Sequence, residues 1–192
     1  MRFWWRARRV PVVALVGIAA VVVPRLSSST VWWAPTALGG GTAAIDLASL
    51  GLLAWSAAIV HSLADRGQGP EARPVRRIAL WDAAAMATAT MVLGLVGAVM
   101  TDGSPWQLLG RWLLAGGLAG IAVACAGARR GIVAVTLTFL VTFSYGHRLP
   151  AASFVRVLQA EANPAGALAC GVLAMVAAVA CLLRWDRPPL AD

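Results

Sequence analysis

The sequence predicts an all-α, polytopic integral membrane protein with about six transmembrane helices and both termini in the cytoplasm. Three observations carry this. The chain of 192 residues is 60% hydrophobic and only 12% charged, whereas about a quarter of a soluble domain is charged. Charges are missing from long stretches: residues 78–100 hold only Asp82, and residues 164–183 hold none. About 20 apolar residues cross a bilayer, so such stretches read as spans. Finally, the arginines fall unevenly on the connections between spans.

Span one, residues 10–23, follows "MRFWWRARR". A basic start and an apolar core are also the pattern of a signal peptide. No small-residue cleavage site follows the core closely, so the segment is read as the first membrane helix. Its aromatic and basic leader fits a short amphipathic helix on the inner leaflet, or a plain cytoplasmic anchor. Spans two and three, residues 43–63 and 78–100, flank the polar connection "ADRGQGPEARPVRR", broken by Gly and Pro. Spans four and five, residues 112–128 and 131–146, are joined only by Arg129 and Arg130, which predicts a tight helical hairpin. Spans one and five are short, and very short apolar segments are also found as re-entrant or interfacial pieces. Span six covers residues 164–183.

Two outer connections are long. Residues 24–42 are rich in Ser, Gly and Trp and read as a loop. In residues 147–163, Phe154, Val155 and Leu158 recur at roughly helical spacing, which predicts a short interfacial helix over 152–160. No connection has room for a soluble domain, so residues 1–192 are read as one transmembrane domain.

All 16 basic residues are arginine. With the excess of Ala, Gly and Val, this usage points to a GC-rich, actinobacterial type of genome. With both termini on one side, twelve arginines share that side: 2, 6, 8, 9, 66, 73, 76, 77, 129, 130, 184 and 187. Arg25, Arg111, Arg148 and Arg156 fall on the other. The positive-inside rule then places the termini in the cytoplasm. The net charge of +8 is accounted for by orientation and helix-end anchoring, and no nucleic acid is expected as a partner. Trp4, Trp5, Trp32, Trp33, Trp106, Trp112 and Trp185 fall at or beside span ends, as an interfacial aromatic belt does. Trp55 and Trp81 lie within spans and read as packing residues.

Small residues recur at helical spacing: Gly116 with Gly120, Ala165 with Ala169, and Gly166 with Cys170. Such pairs let helix backbones approach closely in lipid, within one chain or between two. Cys125, Cys170 and Cys181 lie in apolar runs without paired spacing and read as small buried hydrophobes.

Three ionisable residues lie inside spans: Asp46, His61 and Asp82. Charge inside a bilayer is expensive and marks function by default. Depth weakens that argument here. Asp46 is near the outer end of span two and His61 near its inner end. Asp82 is ~6 Å into span three. Asp82 and His61 share a depth near the cytoplasmic face, as do Arg77, Arg129 and Arg130. Asp82 is therefore read first as an anchor pairing inner helix ends. Gating, signal transmission and proton coupling are the functional alternatives.

Catalytic constellations are not apparent. His61 and His147 stand far apart in sequence and on opposite faces, and there is no HExxH. No CxxC and no P-loop occurs. The chain is not expected to be an enzyme, and no cofactor or metal is expected.

This layout resembles the membrane subunit of a type-2 ABC exporter. The resemblance rests on the basic-aromatic start, the six spans, the polar inner loop and the short outer helix before the last span. The stretches "RRVPVVALVGIAA", "VRRIALWDAA" and "VLQAEANPAGALACGVLAMVAAVACLL" also resemble small actinobacterial permease-like proteins found with ABC ATPases. The chain is shorter than a usual subunit of that family. The resemblance implies a cell-membrane, multi-pass permease powered by a separate cytoplasmic ABC ATPase. That ATPase would dock on a coupling loop mapped here to Arg66, Glu71, Arg73, Arg76 and Arg77. It also implies a second membrane subunit, identical or not, and a hydrophobic or amphipathic substrate passing between the two. The alternative is a non-transporting accessory or regulatory membrane protein that holds a partner at the bilayer.

Overall fold

Helix starts are written locally in the chain. Pro105 and Pro164 each occupy a first helical position, where the missing N–H has no partner to lose. Asn163 caps the last helix: its side-chain oxygen accepts from Ala165 N at 3.1 Å and its carbonyl from Ala167 N at 2.8 Å. The computed structural model describes residues 9–27, 31–35, 42–64, 76–100, 104–145, 157–158 and 163–185. These form α1 (Val10–Leu26), β1 (Val31–Pro35), β2 (Thr42–Asp46), α2 (Leu47–Leu63), α3 (Arg76–Met100), α4 (Pro105–Tyr145) and α5 (Pro164–Trp185).

The expectation of an all-α chain holds for its bulk, with one correction. The long connection after α1 contains an antiparallel hairpin, with Val31 opposite Asp46 and Pro35 opposite Thr42. Val31, Trp32, Trp33, Thr42 and Ile45 favour strands. Residues 43–46, expected to open span two, therefore belong to β2, and α2 begins directly after Asp46. Other boundaries also move: α1 continues through Pro24 to Leu26, α3 starts at Arg76, and α4 starts at Pro105 rather than at residue 112.

α4 is two helical arms. Gly127 has φ 74° and ψ 170°, a left-handed backbone that glycine adopts without steric penalty. Beyond it the chain doubles back: a Cβ on Gly131 would lie 3.2 Å from the Ala122 backbone. Along a straight helix these residues would stand ~13 Å apart. The expected hairpin is present, and the reversal falls on Gly127, just before Arg129 and Arg130.

Among the described residues, three segments are long and apolar enough to cross a membrane: Ala79–Met100, Pro105–Thr142 and Pro164–Arg184. α1 and α2 are apolar but have 17 residues each, ~25 Å in length against a hydrocarbon core of ~30 Å.

Contacts fix the helix directions. Gly17 and Gly51 of α1 and α2 meet Trp55 and Ala20 respectively, so these helices run antiparallel. Gly94, Gly116 and Gly120 bring Leu109, Thr90 and Met86 together, so the first arm of α4 runs against α3. Gly110, Gly117 and Gly120 meet Ala167, Ala174 and Ala178, so that arm runs alongside α5. Consequently the helix ends bearing Arg9, Arg76, Arg77, Arg129, Arg130 and Arg184 lie at one end of the bundle. Arg9, Arg129, Arg130 and Arg184 are exposed there. Arg25 lies at the opposite end.

The expected leader helix, and Arg66, Glu71 and Arg73 of the expected coupling loop, lie outside the described residues. So does most of the expected outer helix, except that Val157 and Leu158 are helical. Both are buried against the bundle rather than lying on its surface.

Candidate functional site

Residues of α1, α2 and α3 enclose a cleft of about 420 Å³. Its walls are almost wholly apolar. α1 supplies Val10, Val13 and Ile18, α2 supplies Trp55 and Leu63, and α3 supplies Met86, Ala89 and Leu93. It opens sideways, because Ile18 and Val92 at its edge are more than half exposed. At the end nearest the arginines it is lined by Asp82, which is 3% exposed. Asp82 is about two turns into α3, ~9 Å from its start. That is beyond the first turn in which a helix dipole supports a carboxylate strongly.

The rear of the cleft is fixed by a polar and aromatic cluster. Trp55 Nε1 donates to Thr90 Oγ1 at 3.3 Å, and Thr90 Oγ1 donates back to the Met86 carbonyl at 2.8 Å. The Trp55 ring also meets Trp112 at 6.1 Å between centroids with a 55° tilt, a favourable aromatic arrangement. Ser56 Oγ contacts the Leu52 and Ala115 carbonyls at 2.9 and 3.1 Å, linking α2 to α4.

His61, expected beside Asp82, is exposed, and its Nε2 accepts a hydrogen bond from the Arg9 guanidinium. This ties the start of α1 to the end of α2 at the mouth of the cleft. Asp46 closes β2 immediately before α2, at the other end of the bundle from Asp82 and His61. Arg76 and Arg77 open α3, and their backbone alone is described.

Arg111, read from sequence as a flank of span four, is buried at 3% exposure. Its Nε and NH2 both donate to the Leu158 carbonyl, at 3.0 and 2.7 Å, and NH2 also donates to Ser49 Oγ at 3.0 Å. One guanidinium thus fastens α2, α4 and the chain at Val157 and Leu158. The signal for this was Pro105 after Ser104: a helix starting there carries Arg111 about two turns inside, ~9 Å deep. Trp112 is likewise a core residue at 5% exposure and not part of a belt. Trp106 is exposed as a belt residue should be, and Trp81, expected to pack, is also exposed. Trp4 and Trp5 lie outside the described residues. For Trp32, Trp33 and Trp185 only backbone positions are described.

Gly116 and Gly120 do pack closely, against α3 and α5 within the chain. Ala165, Ala169 and Gly166 face outward, and the tight α4–α5 seam uses Gly110, Gly117 and Gly171 instead. The three cysteines are free thiols, and Cys125 is exposed where burial was expected.

No family model, no curated protein and no solved structure matches this chain.

Proposed function

We propose that the chain is a multi-pass cell-membrane subunit of an ATP-driven exporter, crossing the bilayer six times with both termini in the cytoplasm. The six crossings are α1, α2, α3, the two arms of α4, and α5. The supporting observation is the gathering of arginine-bearing helix ends at one end of the bundle, where the apolar cleft also has its charged end. The positive-inside rule makes that end cytoplasmic. α2 ends and α3 starts at that end of the bundle, and the expected coupling loop links them. An ATPase docked on that loop would pull or push the two helices that wall the cleft. No P-loop occurs in the chain, so the energy source is a separate cytoplasmic ABC ATPase. A second membrane subunit completes the translocation path.

The test reverses charge at Arg73 and Glu71 while Arg76 and Arg77 keep the orientation signal. The membrane protein should insert as before, and its complex with an ATPase in a native pull-down should weaken, with ATP turnover no longer responding to it. A pull-down without any ATPase moves the assignment to a non-transporting accessory protein.

A further inference from the structure

We propose that the corner formed by the reversal of α4 and the end of α5 is a binding site for anionic phospholipid of the inner leaflet, and that a head group with two phosphates fits it best. The site rests on the orientation given above but needs no ATPase, so it goes beyond the exporter reading. Arg129, Arg130 and Arg184 build it. The α4–α5 seam fixes their level: a Cβ on Gly120 would stand 2.9 Å from the Ala178 Cβ. From there Gly127 lies seven residues on along α4 and Arg184 six residues on along α5, ~10 and ~9 Å in the same direction. The chain turns back at Gly127 and presents Arg129 and Arg130 within its next three residues. Packed helix axes stand ~8–10 Å apart, so three guanidinium groups share one corner.

All three side chains are exposed, and among the described residues none of them makes an ion pair. The acidic side chain described at that end, Asp82, belongs to α3 and is almost fully buried. Three like charges at one corner repel one another, and a bound anion relieves that repulsion. Depth identifies the anion. Leu183 directly precedes Arg184, and Ile132 and Val133 follow Arg130 within one turn; all three are apolar and more than a third exposed. The arginines therefore stand where the apolar surface ends, at the head-group level of the bilayer. Phosphate diesters are the anions at that level, and a guanidinium fork matches two phosphate oxygens. In a zwitterionic lipid the phosphate is already neutralised by its own ammonium; in an anionic lipid it is not. A folded protein arriving from the cytoplasm meets the guanidinium groups only, and leaves the apolar surface beside them to lipid.

Quenching of a dye on Cys125 tests this with the full chain in phosphatidylcholine nanodiscs. Cys125 is exposed two residues before the reversal, and Cys170 and Cys181 are replaced by Ala. A minor fraction of the lipid carries a nitroxide on its acyl chain and one of three heads: phosphocholine, phosphoglycerol, or two phosphates joined by glycerol. A second dye position, Val12→Cys in a cysteine-free background, is exposed near the same end but on α1. Quenching at position 125 should rise from phosphocholine to phosphoglycerol to the two-phosphate lipid, and should rise less at position 12. Replacing Arg129, Arg130 and Arg184 by Gln should lower the apparent affinity for anionic lipid at position 125 about fivefold for each arginine removed, and leave position 12 unchanged. Equal head-group preference at both positions overturns the site, as does a preference at position 125 that survives the Gln variant. The comparison of the two positions keeps the arginines and so decides the matter if the Gln variant does not insert. Equal quenching by all three lipids overturns anionic lipid as the occupant. Inorganic phosphate at the concentration of the anionic lipid should not relieve the quenching; relief would make the occupant a soluble phosphate instead. No ATPase takes part, so a positive result beside a failed ATPase pull-down would remove the exporter reading and leave the site standing.

Discussion

The α4–α5 seam and the α1–α3 cleft are built from the same small and aliphatic residues, yet they differ in kind. In the seam, backbone meets backbone. A Cβ on Gly117 would stand 2.6 Å from the Ala174 carbonyl carbon, and Gly110 and Gly171 touch each other's neighbourhood as closely. Across the cleft, α1 and α3 are held apart by side chains and leave about 420 Å³ between them. Without a hydrophobic force between helices in lipid, close packing is what holds a bundle together. The seam is therefore the fixed part of the molecule. The cleft is the part with room to change, and it carries the buried carboxylate.

The contrast breaks most visibly at the seam. Gly117→Leu must push two backbones apart, and overpacking of this kind costs about 1–3 kcal/mol even where side chains can yield. Here the neighbour is backbone, so no folded, monodisperse protein is expected on size exclusion in mild detergent. Arg111→Ala comes next. It strips the Leu158 carbonyl and Ser49 of a buried charged donor, and each buried polar group left unsatisfied costs about 1–3 kcal/mol. The thermal midpoint should fall sharply, and Arg111→Lys should recover only part of it, because an ammonium cannot present two nitrogens to one carbonyl.

Effects at the cleft should be smaller. Asp82→Ala should destabilise by about 1–3 kcal/mol through the polar partner it leaves behind, and Asp82→Asn by less. If both match the parent in a thermal scan, Asp82 does not anchor the inner helix ends. Ala89→Leu adds volume where there is space and should shift stability by less than about 1 kcal/mol in either direction. A collapse comparable to that of Gly117→Leu would mean that the cleft is as rigid as the seam.

The comparison also explains what was legible in the sequence. Apolar runs located all five helices, and the arginines at 129 and 130 located the reversal in α4. Charge misled in one place. Taking Arg111 as a boundary cost the first two turns of α4, because a buried guanidinium with three hydrogen bonds costs far less than an exposed one in lipid. That satisfaction comes from Ser49 and Leu158, far away in sequence. The hairpin after α1 was hidden by its Gly- and Ser-rich neighbours, although its strands carried β-favouring residues. Among glycines, spacing alone could not tell Gly110, Gly117 and Gly171, which line the seam, from Gly166, which has open space around it. Asp82 was legible as a residue; its place in a cleft was not, since the other walls come from α1 and α2.

Spin-label distance measurements in nanodiscs test the division of the molecule most directly. One pair joins the two helices on either side of the cleft, at Leu15 on α1 and Val99 on α3, in a cysteine-free background. The other spans the seam, at Cys125 and Val176 with Cys170 and Cys181 replaced. These label positions are exposed, so attachment leaves the packing alone. A narrow distribution is expected for the seam pair and a broad one for the pair on α1 and α3. Equally narrow distributions in both pairs would contradict this division of the molecule.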